Sequence, residues 1–177
     1  MPPVAIEADF RDDDGMNVEG SILFEEPEFT LATHCNVLVW CFRGTVSRAR
    51  IDRSGDVLAD LVERYPSGVA DMTIIGPGVS ILVPSDARDR AVEISARFRP
   101  MLVAIATVVD GSSFLKATTR RVIGVMQSLA EIECPRDVFA TVTEASPWVA
   151  RHASIGGAVD ITAESLTVVA ARALRGP

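Results

Sequence analysis

Short continuous apolar runs alternate along this chain with stripes of apolar residues at helical spacing. The runs Val37–Phe42, Met72–Ile75, Val103–Val109 and Val138–Val142 each hand over to a helical stretch through Gly, Ser, Thr or Asp. Runs of this length bounded by turn residues predict strands, and their alternation with helices predicts an α/β layer with mostly parallel strands. Ahead of them, Phe29–Thr33 predicts a first strand, which His34-Cys35-Asn36 turns back into Val37–Phe42 as an antiparallel hairpin. A short edge strand near Ser21–Phe24 is an optional addition.

The helices follow from the same pattern. Between Arg48 and Arg64, Ile51, Val57, Leu58, Leu61 and Val62 favour one face, with Thr45 or Ser47 placed to cap the start. Ser54-Gly55 in its middle predicts a late start or a kink, since an interior glycine costs about 1 kcal/mol of helix propensity. Ala70–Ile75 is the third strand and ends at Gly76-Pro77-Gly78. A second helix, capped by Ser85 or Asp86, carries Ala87, Ala91, Ile94 and Phe98 on one face and stops at Pro100. Met101–Val109 reads as a strand covered on both faces, and Asp110-Gly111-Ser112-Ser113 leads into a helix over Phe114–Ile132. After Pro135 comes the last strand, Val138–Val142, then a short helix opened by Thr143-x-x-Ser146 and bearing Trp148 and Val149. An appended helix, Ala163–Leu174, starts behind Asp160 or Thr162 and is expected to pack back on the domain through Leu166, Val169, Ala170 and Ala173. The expected fold class is α/β: a mixed, mostly parallel sheet of about five strands with helices on its faces.

Composition and charge sharpen this picture. At 177 residues and 48% apolar content the chain has enough material for one globular core. Its net charge of −7 is concentrated at the start: residues 1–28 hold nine acids against one base, and the rest holds fifteen against sixteen. The expected organisation is an acidic flexible segment over 1–27, the α/β domain over 28–153, and a linker with the appended helix over 154–177. The acidic segment repels nucleic acid, and no Lys/Arg cluster with interleaved aromatics exists elsewhere. No apolar run of about 18 residues is present, so no membrane span is expected, and the acidic start does not resemble a secretory signal. The expected location is the cytoplasm, where Cys35, Cys41 and Cys134 read as thiols without a CxxC pair.

Candidate chemistry is sparse. His34 lies beside Cys35, but neighbours in an extended segment point to opposite faces, and His152 sits where a helix dipole suits an imidazolium. Neither histidine has metal-ligand spacing to another donor, so no metal and no cofactor are expected. Gly76-Pro77-Gly78 follows a strand but lacks both the dinucleotide fingerprint and the Walker lysine. Asp110-Gly111-Ser112-Ser113 offers backbone N–H groups and two hydroxyls at a helix start, with the Asp110 charge opposing an anion there. Both turns belong at the carboxyl ends of strands, where ligands of open α/β sheets bind. No catalytic residue is expected.

The order hairpin, helix, strand, helix, strand, helix, strand, helix resembles the SpoIIAA-like superfamily, which joins the STAS domains of anti-sigma-factor antagonists with the CRAL-TRIO lipid carriers. Asn36-Val37-Leu38-Val39-Trp40 with Gly44-Thr45-Val46 looks like the family's second strand entering a helix. Val108-Val109-Asp110-Gly111-Ser112-Ser113-Phe114 looks like its strand-to-helix turn, and Val138–Val142 with Glu144-Ala145 and Trp148-Val149 like its closing strand and helix. The resemblance covers roughly residues 29–152. It implies a non-enzymatic bacterial signalling domain whose partner, another protein or a second copy, binds around Gly76–Arg90. The implied contact residues are Gly76, Gly78, Ser80 and Arg88, with Asp110, Ser112 and Ser113 at the neighbouring turn. The turn after the third strand lacks the Asp-Ser pair of phospho-regulated members, so its hydroxyls read as helix caps. The CRAL-TRIO branch implies an alternative, a carrier or sensor of a small apolar ligand lined by Val79–Val83 and Leu115–Met126.

Overall fold

The computed structural model describes residues 10–11, 17–18, 20–77, 79, 83–109, 134–157 and 161–177. The expected helix over 114–132, the turn before it and most of the stretch 79–83 lie outside the described residues. Strands β1 (Phe10–Arg11) and β2 (Asn17–Val18) pair with each other, antiparallel. The main sheet then holds β3 (Gly20–Glu26), β4 (Phe29–His34), β5 (Val37–Phe42), β6 (Val69–Ile75), β7 (Leu102–Val109) and β8 (Arg136–Phe139), in that spatial order. Pairs β3/β4 and β4/β5 are antiparallel and the remaining three are parallel, so β4 alone runs against the other five. The fold is therefore α/β with a mixed, mostly parallel sheet. Its six strands exceed the expected five because the optional edge strand forms and runs from Gly20 to Glu26.

Strand alternation sorts the side chains onto two faces. Val37, Val39 and Cys41 share one face with Ala70, Met72 and Ile74 and with Ala104, Ala106 and Val108. Helices α3 (Val142–Ile155) and α4 (Ala163–Arg175) close over it. Alanines stand on both sides of this contact, Ala104 and Ala106 on the sheet and Ala145 and Ala153 on α3, and small residues let helix and sheet approach closely. Leu38, Phe42, Val69 and Leu102 face the other way, under α1 (Arg48–Arg64) and α2 (Ser85–Phe98). Successive strands add in one direction while α1 and α2 share a face, as crossovers of one hand require.

Local signals explain where the helix limits agree with expectation and where they differ. Helix α1 runs unbroken through Ser54-Gly55, with Ser47 as its N-cap. Tertiary contact outweighs the glycine's propensity here: a Cβ on Gly55 would lie 2.7 Å from Ile94 Cδ1 of α2. Helix α2 begins at Ser85 behind Pro84 with no side-chain cap, so neither Ser85 nor Asp86 has the expected role. Strand β8 stops at Phe139, before the expected Val142, because Thr141 caps α3 by accepting from Glu144 N at 3.2 Å. Glu144 in turn accepts from Ala140 N at 3.0 Å, and Ser146 is interior to the helix rather than at its start. At α4 the expected cap Thr162 does form, in a capping box with Ser165. Leu166, Val169, Ala170 and Ala173 are fully buried, so the appended helix packs back on the sheet as expected.

The hairpin turn is fastened from beneath. Cys35 adopts φ 50°, and buried Asn36 donates from Nδ2 to Gly68 O at 2.8 Å and Ala153 O at 2.9 Å. One side chain thus holds the start of β6 and the end of α3 against the turn. Gly68 has φ +142°, and a Cβ there would lie 2.1 Å from Val103 Cγ1. Gly68→Ala is expected to cost roughly 2–4 kcal/mol, from backbone strain and overpacking together. A urea midpoint within error of the parent chain would contradict this.

Candidate functional site

The residues singled out from sequence are placed as follows. Gly76 closes β6 by donating its N–H to Phe42 O at 2.8 Å, which sets the turn beside the carboxyl end of β5. Pro77 next to it is exposed. Arg88 lies on the outer face of α2, its side chain half exposed and 3.7 Å from Asp89. Val92, one helical turn further, is 46% exposed and is one of the two exposed large apolar residues among those described, with Ile155. Gly78, Ser80, Asp110, Ser112 and Ser113 lie outside the described residues.

A shallow groove of about 350 Å³ lies between the start of α1 and the β3–β4 hairpin, lined by Phe24, Thr45, Ser47 and four charged side chains. Arg50 bridges Glu26 and Glu28, at 3.0 Å from each, and Arg53 stacks 3.8 Å from the Phe24 ring centroid. The Arg50 hydrogen bond holds Glu28 below the usual carboxylate range. Arg50 thus engages both of the groove's carboxylates, and Arg53 lies over an aromatic ring.

A second polar group, missed by sequence reasoning, lies on the sheet itself. Asp71 of β6 is 5% exposed on the face that α1 and α2 cover. Trp40 Nε1 of β5 donates to its Oδ1 at 2.8 Å, and Thr73 Oγ1 donates to the same oxygen at 2.9 Å. Burial pushes the Asp71 carboxyl up to about 7, against the lowering effect of the Trp40 and Thr73 hydrogen bonds. In register, Thr107 of β7 stands opposite Thr73, and Ile105 stands between Asp71 and Arg136 of β8. Burial also raises the Cys134 thiol; Arg136 opposes that rise and Asp71 adds to it, so both charges lie within electrostatic reach of the thiol. The available signal is an acid and a threonine two apart inside the third expected strand, Ala70–Ile75.

The structure also joins two residues far apart in the chain: His34 Nε2 lies 2.8 Å from Ser165 Oγ. Ser165 Oγ already accepts from Thr162 N at 3.2 Å within the capping box. The hydroxyl is therefore part of a cap that ties α4 to β4, and its lone pairs are engaged rather than presented to a substrate. At the far end of α3, His152 Nδ1 meets Trp148 O at 2.8 Å and its ring lies 4.2 Å from the Trp148 ring. Among the described residues no group of three or more His, Cys, Asp or Glu is placed to hold a metal ion. Nor is any described helix long and apolar enough to cross a membrane.

No family model, curated protein or solved structure matches this chain. The functional reading therefore rests on its own residues.

Proposed function

We propose that the chain is a non-enzymatic protein-interaction domain of the SpoIIAA-like type, serving bacterial signalling by docking a folded protein partner on the outer face of α2 and the turn at Gly76. The observation that carries this is Val92, 46% exposed at the middle of α2 one turn beyond Arg88. The partner fitting it presents a small apolar pocket rimmed by mixed charge, since Arg88 and Asp89 stand one turn before the valine on the helix surface. Consecutive strand order behind an antiparallel hairpin supports the family assignment. The groove at the start of α1 suits an apolar ligand poorly, because Glu26, Glu28, Arg50 and Arg53 line it.

Binding of the partner to purified Val92→Glu and Arg88→Glu chains tests the proposal, with Ile155→Glu as the control on another surface. A central interface residue is expected to cost tenfold or more in Kd, corresponding to about 1.4 kcal/mol, and the control is expected to bind as the parent does. Equal affinities for all four chains would overturn the placement on α2.

A further inference from the structure

Asp71 has no part in the docking surface, and its setting is specific. The face it occupies is otherwise built from Leu38, Phe42, Val69, Leu58, Ile94 and Phe98, all buried. Within this apolar layer, three adjacent strands bring one polar row together: Trp40 on β5, Asp71 and Thr73 on β6, and Thr107 on β7. The indole N–H and the Thr73 hydroxyl both point at Oδ1, so one acid oxygen holds β5 to β6 through side chains as well as through the backbone ladder.

We infer that Asp71 with Trp40 and Thr73 forms a proton-sensitive catch on the sheet: neutral, it seats α1 and α2 on their apolar face, and ionised, it loosens them. A neutral carboxyl satisfies two donors without bringing charge into the layer. An ionised one keeps the same two bonds but carries a charge that the apolar neighbours cannot solvate. The layer responds by opening toward water, on the side where helices rather than hydrogen-bonded strands can move. Most charged side chains of α1 and α2 lie on their outer faces, and among the described residues the titratable or charged groups at the margins of this layer are four. Tyr65 ends α1, Arg99 stands in the 3-10 helix (Arg99–Met101) before β7, Cys134 precedes β8 and Arg136 opens it. Across the tops of the helices, Asp52 of α1 and Arg90 of α2 pair with each other at 2.5 Å, away from Asp71.

The Trp40 indole N–H resonance of the full, isotope-labelled chain reads the catch directly. Trp148, whose ring lies 4.2 Å from that of His152, provides the second indole signal, so Trp148→Phe assigns the two. The expected result is a Trp40 shift with one midpoint near pH 7. Above that midpoint, amide exchange in α1 and α2 accelerates severalfold while α3 and α4 stay unchanged. Asp71→Asn retains the Oδ1 acceptor and is expected to abolish the midpoint. A Trp40 resonance invariant between about pH 5.5 and 8.5 would overturn the inference. So would the same midpoint in Asp71→Asn, or exchange that accelerates equally on both faces. The indole titration uses the unaltered chain, so it decides the matter even where the variant folds poorly.

Discussion

Between about pH 4 and pH 7 this protein is expected to lose the stability that Asp71 contributes as a neutral acid. Its carboxyl titrates at about 7 in the folded chain and near the ordinary 3.9 once unfolded. Below both values each state holds the proton and the group contributes no penalty. Between them the unfolded chain releases its proton while the folded chain retains it, so unfolding gains ground with every pH unit. Above the folded value the difference is constant. Three units at 1.36 kcal/mol each give a total loss of about 4 kcal/mol. Other titrating groups act in the parent and in Asp71→Asn alike, so the difference between the two chains isolates this carboxyl. Urea unfolding at about pH 5 and pH 8 is expected to show the parent losing roughly 3 kcal/mol more than the variant. Parallel losses in both chains would show that Asp71 ionises in the fold as it does in water.

The second large effect is expected at Arg43, at the carboxyl end of β5. Its Nε donates to Pro27 O at 3.0 Å, and Nη2 donates to Glu26 O at 2.6 Å and Thr30 Oγ1 at 2.8 Å. Nη1 donates to Ala173 O, a carbonyl in the last turn of α4 that has no helical N–H to accept from. One guanidinium therefore gathers the β3–β4 turn and the end of α4, with its charge favourably placed at the helix carboxyl terminus. Arg43→Ala removes four charge-assisted bonds and leaves carbonyls to find water, at an expected cost of about 3 kcal/mol. Arg43→Lys restores a point charge without the planar fork and should recover only part of this. Amide exchange in α4 should rise ahead of global unfolding. A loss within about 0.5 kcal/mol, as for an ordinary surface arginine such as Arg97, would show that the clamp adds nothing net.

The elements that sequence located best are those whose own periodicity matches their packing. Val37–Phe42 is buried on both faces and α1 carries one apolar stripe, so each reads the same in isolation as in the fold. Expectation and structure part where a neighbour decides. Gly55 weakens α1 locally and is retained because Ile94 needs the space. Thr141 and Thr143 are equivalent as cap residues on paper, and the length of β8 chooses Thr141. The polar row on the sheet depends on register, which pairs Trp40 with Thr73 across a parallel crossover that no local pattern specifies. His34 and Ser165 meet only because α4 returns to β4. Arg88 and Gly76, by contrast, were legible as surface and turn residues from their places after the third strand.

A photo-reactive side chain at position 92 of the full chain, compared in its native host with the same group at position 155, tests the central claim most directly. The docking account predicts a discrete cross-linked product of protein mass from position 92, lost when Arg88→Glu is added and not formed from position 155. No product from position 92, or the same products from both positions, would contradict it.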